Sequence, residues 1–171
     1  MTGAYRPPAL LGPEHDLDSF DCRSAEQTEW LRRHAHQSSN SGTTRVLVVT
    51  SEDSSQVVAF YAWCMASISL QDAPARARKG TGRYPQPVAL LARLGVDVRH
   101  EGSGLGAGLL QDVIARTFVL GEEIGCRGLL IHAETSHARD FCLHLVPEFE
   151  ASPTDELHLF LLMKDIRRTL S

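Results

Sequence analysis

The chain has 171 residues, 43% of them hydrophobic, which is enough to bury one sizeable core and short for two. Its apolar runs fall far short of a membrane span. "MTGAYRPPALLGPEHD" has neither the charged start nor the unbroken apolar stretch of a signal peptide, so the expectation is a soluble cytoplasmic protein without a membrane partner. A formal charge of −4 argues against a general polyanion binder, and four scattered cysteines without a C-x-x-C pair argue against a disulfide framework or a zinc ribbon.

In chain order, residues 1–20 are rich in Pro, Gly and Asp and read as an irregular lead-in. "DCRSAEQTEWLRRHAHQSSNSG" predicts a helix with Ser24 as N-cap and Gln27 three residues on, Trp30, Leu31 and His34 sharing a face. "TTRVLVVTSEDSSQVVAFYAWCMASISL" is β-branched and aromatic on both sides of "SEDSS", the pattern of a hairpin. "QDAPARARKGTGRYPQP" then reads as a long basic loop and "VALLARLGVDV" as a central strand.

Four glycines follow on alternate positions in "VDVRHEGSGLGAGLLQDV". Beyond them Leu105, Leu109, Leu110, Val113, Ile114 and Phe118 recur at helical spacing to about Gly125. "RGLLIHAE" predicts a buried strand. "TSHARDFCLHLV" predicts a helix with Ala138, Phe141, Cys142 and Leu145 on one stripe, and "DELHLFLLMKDI" a closing strand. The alternation of strands and helices points to one mixed α/β domain over residues 1–171.

Glycines between a strand and a helix let backbone lie against a ligand, with amides and the helix dipole favouring a phosphate. No Gly-Lys-Ser/Thr follows Gly104 or Gly108, which excludes a P-loop. Gly102, Gly104 and Ala107 match G-x-G-x-x-A, but the next strand's acid, Glu134, lies well beyond the roughly twenty-residue spacing of a dinucleotide-binding fold. His132, His137 and His144 fit no familiar ligand spacing, and no metal is expected.

"LARLGVDVRHEGSGLGAGLL" resembles the signature of GNAT-family N-acetyltransferases, a strand followed by Arg/Gln-x-x-Gly-x-Gly/Ala and a helix. The order of hairpin, basic loop, glycine turn, strand and helix extends the likeness across nearly the whole chain. "FDCRSAEQTEWLRRHAHQ", "LARLGVDV", "ARDF" and "ASPTDELHLFLL" are similar to the branch of GNAT toxins that acetylate aminoacyl-tRNA.

The resemblance implies a central, mostly antiparallel mixed sheet flanked by helices. It also implies acetyl-CoA held by the backbone of Leu94, Gly95 and Val96 and by the turn of Glu101, Gly102, Ser103, Gly104, Leu105, Gly106 and Ala107. Glu101 stands where the family has Arg or Gln, and Cys142 where its Ala-x-x-Phe-Tyr segment has a catalytic tyrosine. That departure implies a slowed or inactive catalyst. The implied partners are an aminoacyl-tRNA, a ribbon-helix-helix antitoxin and a second copy in a homodimer. Arg32, Arg33, Arg76, Arg78, Lys79, Arg83 and Arg93 are the candidates for tRNA phosphates. Two alternatives stay open: a GNAT enzyme acting on a small amine or a protein, and a non-catalytic acetyl-CoA binder.

Overall fold

A computed structural model describes residues 4–170. Seven strands run in the order β1-β2-β3-β4-β5-β7-β6: β1 Ala9–Leu10, β2 Arg45–Thr50, β3 Val57–Ile68, β4 Gln86–Val96, β5 Gly128–His132, β6 Glu150–Ala151 and β7 His158–Leu162. The β1–β2, β2–β3, β5–β7 and β6–β7 pairs are antiparallel, and β4–β5 is parallel with Ala89 beside Leu129. The sheet is therefore mixed and mostly antiparallel, with helices, as expected. The chain divides into two compact units, one of residues up to Cys64 with Ala92–Leu109, the other of Met65–Leu91 with Leu110 onward.

In the first unit the β2–β3 hairpin sets Leu47 opposite Tyr61, and its register shifts between Val49 and Thr50. Val46 to Thr50 and Val57 to Tyr61 are all buried, which explains their continuous apolar runs: neither face meets water. Helix α1, Ala25–Asn40, begins as its sequence predicts, with the Ser24 hydroxyl accepting from the Gln27 amide at 3.1 Å. Its buried positions are Gln27, Thr28, Leu31 and Ala35, whereas His34 is exposed, so the expected Trp30–Leu31–His34 face is displaced. The lead-in is more than irregular chain. Ala9–Leu10 adds a strand to β2, and Leu17 and Phe20 enter the core, Phe20 edge-on to Phe60 at 5.5 Å.

In the second unit the body of α3, Leu105–Glu123, buries Leu110, Val113, Ile114 and Thr117. The basic connection is not all loop. It contains a short helix α2, Ala75–Arg78, whose Ala77 joins a core of Ile68, Val88, Leu130, Phe160 and Leu162. Helix α4, Ser136–Leu145, is capped by the Thr135 hydroxyl, and Cys142 is its buried residue. The expected stripe fails there, since Phe141 and Leu145 are exposed. The closing strand ends at Leu162, and "MKDIRRTL" is a helix, α5, Met163–Leu170, that buries Ile166 and Asp165. The Asp165 carboxylate is held by Arg76 at 3.0 and 3.2 Å and by Arg168. Burial pushes that carboxyl up, but those guanidinium groups outweigh it and hold it below the ordinary carboxylate range.

Candidate functional site

In the first unit β4 ends at Val96, and the chain turns through a 3-10 segment, Val98–His100, into the glycines. Asp97 fixes that turn. Its fully buried carboxylate accepts from the Arg99 backbone amide, from Arg99 Nε and Nη2 at 2.9 and 2.8 Å, and from the Asp21 amide at 3.0 Å. Burial alone raises its pKa, but these donors together hold it down, to about 2. The "FDC" segment closes the same corner. Asp21 O accepts from the Val98 amide at 2.9 Å, and Cys22 forms a bridge with Asp97, its sulfur lying 3.2 Å from the Thr28 hydroxyl oxygen. Asp97 is not legible in the sequence; the signal that could have found it was "FDC" itself, whose Asp21 amide donates to the Asp97 carboxylate.

Gly95 lies against the core. A Cβ there would stand 3.0 Å from Phe60 and 3.3 Å from the Cys22 sulfur, so this glycine answers packing, while Leu94 and Val96 on either side are half-buried. Gly102 and Gly104 take φ of 82° and 84°, a region L side chains rarely adopt, and a Cβ on either would meet nothing within 4 Å. Helix α3 starts directly after Gly104, whose carbonyl accepts from the Gly108 amide at 3.0 Å. A glycine at the cap offers no side chain, and the Ser103 hydroxyl instead donates to the His100 carbonyl. By helix geometry the first-turn amides of Leu105, Gly106 and Ala107 have no carbonyl of their own helix, and the helix dipole makes that end positive. The arrangement fits a diphosphate: open main chain, first-turn amides without a carbonyl of their own helix, and, within residues 101–107, a single carboxylate, Glu101. That one is clasped by Arg23, Nε to Oε2 at 2.9 Å.

The sequence-predicted cations divide. Arg76 is committed to Asp165 and Glu150. Arg93 lies over the Trp30 ring at 4.9 Å and donates to Gln27 at 3.2 Å, and Arg33 pairs with Glu29 at 3.5 Å. All three have structural partners, and only the Arg33–Glu29 pair, four residues apart on α1, is local in the sequence. Arg32, Arg78, Lys79 and Arg83 are exposed with no ion-pair partner among the described residues. Burial pushes the Cys142 thiol up to about 11. Among the described residues no three His, Cys, Asp or Glu gather as a metal site, and no helix is long and apolar enough to cross a membrane.

No family model matches the chain. The fold is that of solved toxin structures. AtaT complexed with acetyl-methionyl-tRNAfMet superposes with a TM-score of 0.88 at 22% identity, covering 98% of this chain and 99% of that one. AtaTR bound with AcCoA gives 0.83 at 21% identity, covering 98% and 99%. A tRNA-acetylating toxin of Mycobacterium tuberculosis (strain ATCC 25618 / H37Rv) is 40% identical over 167 residues, 98% of this chain and 97% of its own. The chain thus belongs to the family of tRNA-acetylating toxins.

Proposed function

We propose that the chain moves an acetyl group from acetyl-CoA to the α-amine of an amino acid esterified to tRNA, and blocks translation by doing so. The observation that carries this reading is the uncapped start of α3 behind Gly102 and Gly104, in a chain 40% identical to a tRNA-acetylating toxin. When bound, acetyl-CoA supplies the acetyl group as an activated thioester. Amides from Gly102 to Ala107 hold its diphosphate, and the backbone of Leu94, Gly95 and Val96 lies along its pantetheine, one amide there polarising the carbonyl.

The α-amine has an ordinary pKa of about 7.7–8.0, so part of it is neutral at pH 7 and positioning matters more than a strong base. Arg32, Arg78, Lys79 and Arg83 are the cations available to tRNA phosphates. Cys142 replaces a phenol with a shorter, buried, protonated thiol, which slows proton delivery to the departing sulfur. The partner set follows the family: a ribbon-helix-helix antitoxin, and a homodimer of the toxin.

Radiolabelled acetyl transfer to charged tRNA, small amines and proteins in parallel tests the reading. Label on the aminoacyl end alone supports it, and label on amines or proteins alone overturns it. A thermal shift with acetyl-CoA and none with NAD tests the turn separately, because a ligand of the folded state must stabilise it. The buried Cys142 favours one second reading, a non-catalytic acetyl-CoA binder. Cofactor binding without labelling, even in Cys142→Tyr, selects it.

A further inference from the structure

The second unit contains a pocket of about 410 Å³ that the acetyl-CoA reading does not use. Lys79 comes to it from the end of α2, Arg127 from the entry to β5, and Lys164 and Arg167 from the first turns of α5. Arg76 also lines it but is already neutralised by Asp165 and Glu150. Lys79, Arg127 and Lys164 have no carboxylate within 4 Å among the described residues. Like charges collected in a concavity repel one another, and a low-dielectric wall strengthens the repulsion until an anion enters.

Arg127 is set rigidly for such a guest. Its Nη2 donates to the Ala77 carbonyl at 2.8 Å, its amide to Pro87 O at 2.8 Å, and its carbonyl accepts from the Met163 amide at 2.9 Å. Its Nε is buried with no hydrogen-bond partner among the described residues, an exception that folded proteins rarely keep. Leu162 and Met163 give the pocket an apolar wall. The volume is that of a small-ligand site, larger than one phosphate needs. Cations with an apolar wall at this size match a nucleotide unit: phosphate on the guanidinium and ammonium groups, sugar against the leucine and methionine.

We infer that this pocket grips one backbone phosphate, with its ribose, of the tRNA substrate. The inference rests on the reading that tRNA is acted upon, and it adds Arg127 and Lys164 to the cations expected on the acidic chain.

The test uses the whole protein. Lys164→Ala and Lys79→Ala are titrated with tRNA by filter binding across a range of salt. Each is expected to weaken binding roughly three- to ten-fold and to flatten the slope of log affinity against log salt by about one unit, the signature of one lost phosphate contact. Cys126, also in the pocket wall, serves as a reporter: its alkylation, mapped by mass spectrometry, is expected to slow with tRNA but not with millimolar inorganic phosphate or a mononucleotide. Unchanged slopes together with unprotected Cys126 overturn the inference. Protection by the mononucleotide in place of tRNA overturns it in favour of a free-nucleotide site. If charged tRNA is never acetylated yet still protects Cys126 with flattened slopes in the variants, the pocket stands and the reaction falls. If acetylation proceeds with slopes unmoved by either variant, only the pocket falls.

Discussion

Arg23 and Glu101, separated by 78 residues of sequence, meet at the lip of the glycine turn, the Arg23 Nε lying 3.1 and 2.9 Å from the two carboxylate oxygens. If the turn holds a diphosphate as proposed, a carboxylate beside it opposes the ligand, and the guanidinium cancels much of that opposition. The pair is solvent-exposed, so it contributes little to folding and its effect belongs to binding. Arg23→Ala is expected to weaken acetyl-CoA about three- to ten-fold at low salt, and Glu101→Gln to tighten it about two- to five-fold. The double variant should fall near the wild type, because each change is felt mainly through the other residue. Calorimetric titration at two ionic strengths checks this, and both effects should shrink as salt rises.

Asp97 makes the turn's geometry depend on pH in acid. Its folded pKa of about 2 lies below the ordinary value of 3.8, so its contribution is complete above pH 4. That contribution, about 2 kcal/mol, is lost as pH falls from 4 to 2. Asp97→Asn should lower stability by about 1–3 kcal/mol at pH 7 through the lost charge-assisted bonds to Arg99. It should also flatten this acid limb. Urea unfolding at pH 7, 4 and 3 measures both, and a wild-type-like acid limb in the variant would show that Asp97 is not the group responsible.

Gly104 and Gly108 sit four residues apart and should respond oppositely to the same substitution. Both have open space for a Cβ, but only Gly104 has positive φ. Gly104→Ala is expected to cost about 1–2 kcal/mol of stability and to weaken acetyl-CoA at least ten-fold, since the turn must relax away from its conformation. Gly108→Ala lies inside the helix, and should stabilise by about 0.5–1 kcal/mol. Thermal melts with and without acetyl-CoA separate the two, the first variant losing the ligand-induced shift and the second retaining it.

Local signals made much of this molecule readable. The Ser24 cap, the two apolar arms around "SEDSS" and the apolar rhythm from Leu109 onward are properties of short windows, and the structure places α1, the β2–β3 hairpin and α3 there. What stayed hidden depends on partners far along the chain. Arg76 reads as a nucleic-acid cation until Asp165, 89 residues on, is seen to accept its fork. Arg93 reads likewise until Trp30 is seen beneath it. The "MKDI" end of "DELHLFLLMKDI" reads as strand because "HLFLLM" dominates its window, but it opens helix α5, where Asp165 and Ile166 are buried. Phe141 and Leu145 keep helical spacing without a partner to bury them, so periodicity overstates the inner face of α4.

In the proposed reaction Cys142 stands at the position of the proton donor, and its substitution tests that role. Burial holds its thiol near 11, so at pH 7 roughly one molecule in ten thousand carries a thiolate, and the group has a proton to give. Acidity is therefore not the main deficit, because a phenol at about 10 is only one unit stronger. On the proposed role the deficit is one of reach, since a thiol ends several ångströms short of a phenol oxygen on the same backbone. Cys142→Tyr is expected to raise kcat for aminoacyl-tRNA acetylation by about 10²–10⁴, the usual scale of a positioned general acid. Cys142→Phe supplies the ring without the hydroxyl and should give no such gain. Both enlarge a buried site, and both should lower stability by about 1–3 kcal/mol if the helix cannot shift. Equal melting temperatures with unequal rates would isolate proton delivery from packing. Equal rates in the two variants would mean that residue 142 does not reach the departing sulfur, and that the sluggishness assigned to the cysteine has no basis.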